Sequence, residues 1–238
     1  MVDILWGVNR NRDQRRRPEL SIDAIVDAAI SVADAEGLEA VSMQRVAGEL
    51  GYTPMALYRY IPGKAQLIDV MSDVAGGLPP DQSAAGRDWR GAIEQWADAL
   101  WDVYQRHPWM LRVQTRTAPI GPNGLAWFEA LLQALSRTGI AHGDMVAVAM
   151  FISSAIRDLA RIANELVPMG LGYASVLQRI LDGGRFPTLA AMIAAGSFEE
   201  DPDRGVKPAV EYGLSRLLDG IENVSAAKKA RKTRKESR

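Results

Sequence analysis

Apolar residues recur at helical spacing along most of the chain, and the first run is the clearest. After Ser21, the residues Ile22, Ile25, Val26, Ala29, Ile30 and Ala33 share one face of a 3.6-residue repeat. Ser21 is a good N-cap, Asp23 suits the positive end of the helix dipole, and Gly37 suits a stop. A helix is therefore expected over 21–36. Ser42 opens a second, short helix through Leu50, with Val46 and Leu50 on its inner side and Gly51 ending it. Thr53 as N-cap and Pro54 at the first helical position begin a third helix, which Ile61, Pro62 and Gly63 stop at about Tyr60. A fourth helix starts near Lys64 and turns Leu67, Ile68, Met71 and Val74 inward until Gly76 and Gly77.

The stretch from Gly76 to Asp88, GGLPPDQSAAGRD, breaks the pattern and marks a domain boundary. Beyond it, helices are expected near 88–106, 109–115, 122–138, 142–167, 172–182, 187–195 and 206–224, punctuated by Gly and Pro. Nothing alternates with the two-residue period of a strand, so the expected fold is all-α. The expected organisation is a basic arm over 1–17, a first domain over 18–76, a larger helical domain over 88–224 and a tail over 225–238.

Two short helices joined at a glycine turn and buttressed by a longer one form a helix-turn-helix. Leu57 is apolar and faces inward, so Tyr58, Arg59 and Tyr60 cannot all be buried beside it. Tyrosine hydroxyls and an arginine displayed on a short helix suit phosphate contacts and entry into a DNA groove. Charge sharpens this picture. The chain of 238 residues has a net charge of −1, but Arg10 to Arg17 carries +4 and Ser225 to Arg238 carries +6, leaving −11 for the rest. An acidic body with basic ends confines phosphate contact to particular places. The arginine arm, Arg17 included, is read as flexible chain able to lie in a minor groove, and the basic tail as disordered.

Other chemistry is thin. There is no cysteine, and His107 and His142 are the only histidines, so neither a thiolate nucleophile nor a metal cage is expected. GPNGL lacks the Gly-Lys-Ser/Thr ending of a phosphate loop. No cofactor is expected, and the enzyme reading lacks a nucleophile–base pair. No apolar run approaches the roughly 18 residues of a membrane span, and the N-terminus lacks a signal-peptide core. A cytoplasmic protein with no membrane contact is the expectation. The second half concentrates aromatic side chains among polar ones, the composition of a small-molecule pocket. Trp101, Tyr104, His107, Trp109, Arg112, Gln114, Trp127, Phe128 and Phe151 are the candidate ligand contacts. The segment MVAVAMFISSAIRDLARIANEL is apolar nearly all round its first half, which implies burial on more than one side. With Val210, Leu214, Leu217, Leu218 and Ile221 it suits a homodimer interface built from the helices near 142–167 and 206–224.

The segment IVDAAISVADAEGLEAVSMQRVAGELGYTPMALYRYIPGKAQLIDVM resembles the DNA-binding domain of the tetracycline-repressor (TetR) family of bacterial transcription regulators. RHPWMLRV, and the Gly-Pro before LAWFEALLQALSRTG, are similar to that family's C-terminal, ligand-binding and dimer-forming domain. The resemblance implies a homodimeric regulator, most simply a repressor, released from a pseudo-palindromic double-stranded operator by a small apolar or aromatic effector. It places the family's phosphate-contacting positions on Ser42, Thr53, Tyr58, Tyr60 and Lys64, and its base-reading positions on Gln44, Pro54, Met55 and Ala56. Pro54, Met55 and Ala56 offer no side-chain hydrogen bond, so readout there is expected to be apolar, with Gln44 and Arg59 supplying polar contacts. A helical enzyme and a dimeric interaction module without DNA binding are the alternatives.

Overall fold

The computed structural model describes residues 5–7, 20–82, 88–113, 121–166, 173–181, 184–197 and 205–236. Among these residues there are ten bounded α-helices, two 3-10 turns and no strand, and residues 5–7 are also helical. The first domain holds α1 (Ile22–Glu36), α2 (Met43–Leu50), α3 (Pro54–Tyr58) and α4 (Lys64–Gly76). Two of the capping signals operate as the sequence implies: Ser21 Oγ accepts from the Ala24 amide and Ser42 Oγ from the Arg45 amide. Ile25, Val46, Leu57, Ile61 and Leu67 are fully buried and form the domain's core with Val26, Val70 and Met71.

The second domain contains α5 (Trp89–Arg106), a 3-10 turn (Pro108–Arg112), α6 (Pro122–Ser136) and α7 (His142–Leu166). It continues with α8 (Tyr173–Ile180), α9 (Pro187–Ala194) and α10 (Lys207–Glu236). Helices α5, α6 and α7 pack on one another around Ile93, Trp96, Leu131, Leu135, Ile152 and Ile156. Helix α10 lies along them with Leu218 buried. Lys207 pairs with Asp98 at 3.2 Å, whereas Arg90, at the start of α5, binds Asp219 at 2.8 Å. The two helices are therefore antiparallel. Because the far end of α5 touches the first domain, α10 leads away from it.

Four local features differ from the sequence expectations. The third helix ends at Tyr58, with Arg59 and Tyr60 in the turn that follows, because five residues already bring Leu57 and Ile61 into the core. The segment expected as a helix over 109–115 is a 3-10 turn over Pro108–Arg112. Helix α10 continues to Glu236, through the segment expected to be disordered. Ala, Lys and Arg are good helix formers, and neither Gly nor Pro follows Gly220 to stop it. Within the arm, Leu5 is buried against the first-domain core, a contact that an aperiodic segment does not announce. Arg17 lies outside the described residues.

Candidate nucleic-acid interface and interdomain joint

The recognition segment is held from below and free above. Gly51 closes α2 at φ 73°, a left-handed conformation that favours glycine, and the Tyr52 amide donates back to Ala47 O. Thr53 is extended at the N-cap of α3, and its hydroxyl makes no capping bond. Leu57 and Ile61 are wholly buried, which fixes the rotation of α3 about its axis. Everything on the other side then points to solvent. Met55 is 74% exposed, Tyr58 46% and Tyr60 37%, with Thr53, Pro54, Arg59 and Lys64 also exposed and Ala56 half-buried.

Gln44 is exposed on α2, and Ser42 is half-buried with its oxygen engaged as a cap. The structure therefore displays the candidate DNA-facing groups from Gln44 to Lys64 along α2, α3 and the start of α4. Tyr52 was not among them, yet it is 42% exposed beside Thr53. A tyrosine directly after a turn glycine was the available signal. One nearby cation is committed to the fold: Arg45 binds Glu36 at 2.6 Å and Glu49 at 2.7 Å, pinning α2 to α1.

The eight described candidate ligand contacts are divided among the joint between the domains, the second-domain core and the exposed face of α7. His107 Nδ1 and Trp109 Nε1 both meet Asp34 Oδ1 of α1, at 2.8 and 2.7 Å, and Trp109 is buried in the first domain's core. Arg112 pairs with Glu39 at 3.2 Å. These three join the domains. Phe151 is 63% exposed on α7. Trp101, Tyr104, Trp127 and Phe128 belong to the second-domain core, and Gln114 is outside the described residues. A cavity of about 190 Å³ between α5 and α10 is lined by Trp101 with Ala97, Val210 and Leu214, and rimmed by Glu94, Asp98, Lys207 and Glu211. Burial raises the Tyr104 hydroxyl above its ordinary pKa against the opposing pull of Arg157. Arg157 also donates to the carbonyls of Met110 and Val113, holding the 3-10 turn against α7.

A second joint was not foreseen at all. Asp73 of α4 accepts from the amides of Asn123 and Gly124, at 3.3 and 2.8 Å, and so caps the N-terminus of α6 from the other domain. In return, Asn123 Nδ2 donates to Asp73 O at 2.9 Å, and Trp127 Nε1 lies 3.1 Å from both Gly76 O and Gly77 O. Each helix thus satisfies the free end of the other. Burial raises the Asp73 carboxyl above the usual carboxylate pKa, and the two amides only partly offset this. Trp127 also packs edge-on against Trp96 at 5.6 Å and accepts from the Trp96 indole at its carbonyl, so the joint reaches into the aromatic core.

A small helix-turn-helix domain bonded at two joints to a helical domain with an aromatic core is the architecture of a one-component DNA-binding regulator. Residues 25–71 match the family described as bacterial regulatory proteins, tetR family, and residues 82–225 match the tetracyclin repressor-like C-terminal domain. The chain belongs to this family. It is 33% identical to the HTH-type transcriptional repressor DrrR1 of Streptomyces coeruleorubidus, over 96% of this chain and 87% of that protein. It is 28% identical to an HTH-type transcriptional regulator of Saccharopolyspora erythraea, over 82% and 85%. In fold it is similar to apo ActR from Streptomyces coelicolor, with a TM-score of 0.73, 23% identity and coverage of 90% of this chain and 100% of that one. ActR in complex with actinorhodin matches with a TM-score of 0.68 and 23% identity, over 86% and 96%. Among the described residues no helix is long and apolar enough to cross a membrane, and no group of acidic or histidine side chains is placed to hold a metal.

Proposed function

We propose that the protein is a homodimeric transcriptional repressor that leaves its operator when a small apolar or aromatic molecule binds the second domain. The observation that carries this reading is the reciprocal capping of α4 and α6. It makes the pose of the helix-turn-helix depend on the start of the helix that carries Trp127 and Phe128. An effector that displaces Trp127 moves α4 and changes the spacing of the two recognition helices. Shifting that equilibrium from 1:99 to 99:1 takes a preference of about 5.5 kcal/mol for the released geometry. The aromatic core suits a planar effector, and ActR, of the same fold, has been crystallised in complex with actinorhodin.

Two copies are needed because one short recognition helix reads a single half-site. Helix α7 presents Val146, Met150 and Phe151 to solvent, and α10 presents Tyr212, the small residues Gly213 and Gly220, and Val224. These exposed apolar and small residues, with Val146 and Met150 four apart on α7 and Gly220 and Val224 four apart on α10, suit a four-helix contact across a two-fold axis. The double substitution Phe151→Glu and Tyr212→Glu is expected to yield a folded monomer in sedimentation or light scattering. A dimer that survives both charges would place the interface elsewhere. The function itself is tested by selecting duplexes from a random pool at moderate salt and screening aromatic compounds for release, followed by fluorescence polarisation. Enrichment of a two-fold-symmetric sequence and its release by a compound is the expected result. No enrichment would sink the reading.

A further inference from the structure

We infer that Met55 reads thymine, by packing its side chain against the C5 methyl group in the major groove, and that this apolar contact sets the base preference at one position of each half-site. The inference rests on the regulator reading above and deepens it. Three features of the recognition segment support it. Met55 is 74% exposed at the second position of α3, more than any other large apolar side chain described in this domain. Its helical neighbours are Pro54, which has no amide hydrogen, and Ala56, so past the Thr53 hydroxyl at the N-cap the first turn of α3 offers a base edge no strong hydrogen-bonding side chain. Around this edge stand Tyr52, Tyr58, Tyr60, Arg59 and Lys64, all exposed.

A single exposed methionine is ordinary on a protein surface. A methionine at the tip of a five-residue helix, ringed by hydroxyls and cations suited to phosphates, is placed where a duplex would cover it. Within the major groove the four bases differ mainly in donors and acceptors, which Met55 cannot read, and thymine alone presents an apolar group. A flexible, unbranched thioether side chain adapts to that methyl better than a branched one would. Polar readout is then left to Gln44 on α2 and Arg59 after α3, both exposed. Such a site discriminates by one methyl group at a time, so uracil in place of the thymine that Met55 touches is expected to weaken binding about fourfold, the worth of one buried methyl group.

The test uses the full-length protein and an operator selected from random duplexes. Each thymine of the half-site is replaced in turn by uracil, which keeps every hydrogen-bonding group and removes only the methyl. One or two positions are expected to lose about fourfold in affinity, and symmetric replacement in both half-sites roughly 15-fold. The Met55→Ala protein is expected to bind the thymine and uracil operators equally, while Met55→Leu retains part of the difference. Because Met55 is so exposed, Met55→Ala should melt at the parental temperature, which separates loss of reading from loss of fold. A selected operator without a uracil-sensitive position would overturn the inference. So would sensitivity that persists in Met55→Ala, since another side chain would then be reading the methyl. Failure to select any operator would overturn the regulator reading and this inference with it.

Discussion

Replacing Tyr58, Tyr60 and Lys64 together by alanine is expected to lower operator affinity at least a thousandfold while leaving the melting temperature near that of the parent. All three side chains are exposed, and Leu57, which anchors the same helix, is untouched. A hydrogen bond to a charged group is worth about 1.5–3 kcal/mol. Even at about 1 kcal/mol each, six phosphate contacts in a dimer sum to about 6 kcal/mol, more than a ten-thousandfold change in affinity. The loss should be uniform across operator variants and should flatten the dependence of binding on salt, because phosphate contacts release counterions and carry no base information. Parental affinity in this variant would show that the exposed face of α3 is not the DNA-binding face. By contrast, Leu57→Ala acts on the fold, and a wholly buried leucine of this kind costs about 2–5 kcal/mol when truncated.

Substituting Gly121 by alanine is expected to break the joint between α4 and α6. A Cβ at this position would overlap the Asp73 carboxyl group, with even its farther oxygen only 2.9 Å away. The requirement for glycine here is steric: Gly121 has φ −74°, which any residue adopts. The carboxyl group would have to leave the Asn123 and Gly124 amides, losing two charge-assisted hydrogen bonds and exposing the end of α6. The expected cost is about 2–4 kcal/mol of stability, and effector and operator should no longer compete in the polarisation assay. A double-mutant cycle isolates the cause. Asp73→Ala removes the group that the new Cβ strikes, so Asp73→Ala with Gly121→Ala should be no less stable than Asp73→Ala alone. If the two losses simply add, the clash with Asp73 is not what Gly121 avoids.

The first domain was almost wholly legible. Ser21, Gly37, Ser42, Gly51 and Pro54 are short-range signals, each acting on backbone within a few residues, so they can be read without knowing any distant contact. The exposure of Tyr58, Arg59 and Tyr60 followed from how few side chains a short helix can bury once Leu57 faces inward. Within the second domain, periodicity located the helices but not their partners. His107, Trp109 and Arg112 read as pocket residues because aromatic and polar groups interleave there. The same mixture serves a joint between domains, where Asp34 and Glu39 receive them. Nothing within ten residues of Asp73 signals that it caps a helix some 50 residues further on.

By itself the sequence determined the elements and the kind of surface each presents, because caps, glycine turns and apolar spacing are local and act through backbone hydrogen bonds and burial on one face. It also determined that the tip of α3 is apolar, since no folding can give Pro54, Met55 or Ala56 a hydrogen-bonding side chain. Only the tertiary structure decided what links the two domains. Asp73 meets α6, and His107 and Trp109 meet Asp34, across some 50 and 75 residues of chain. Such pairings depend on how whole helices pack, and no spacing within the chain encodes the distance between them.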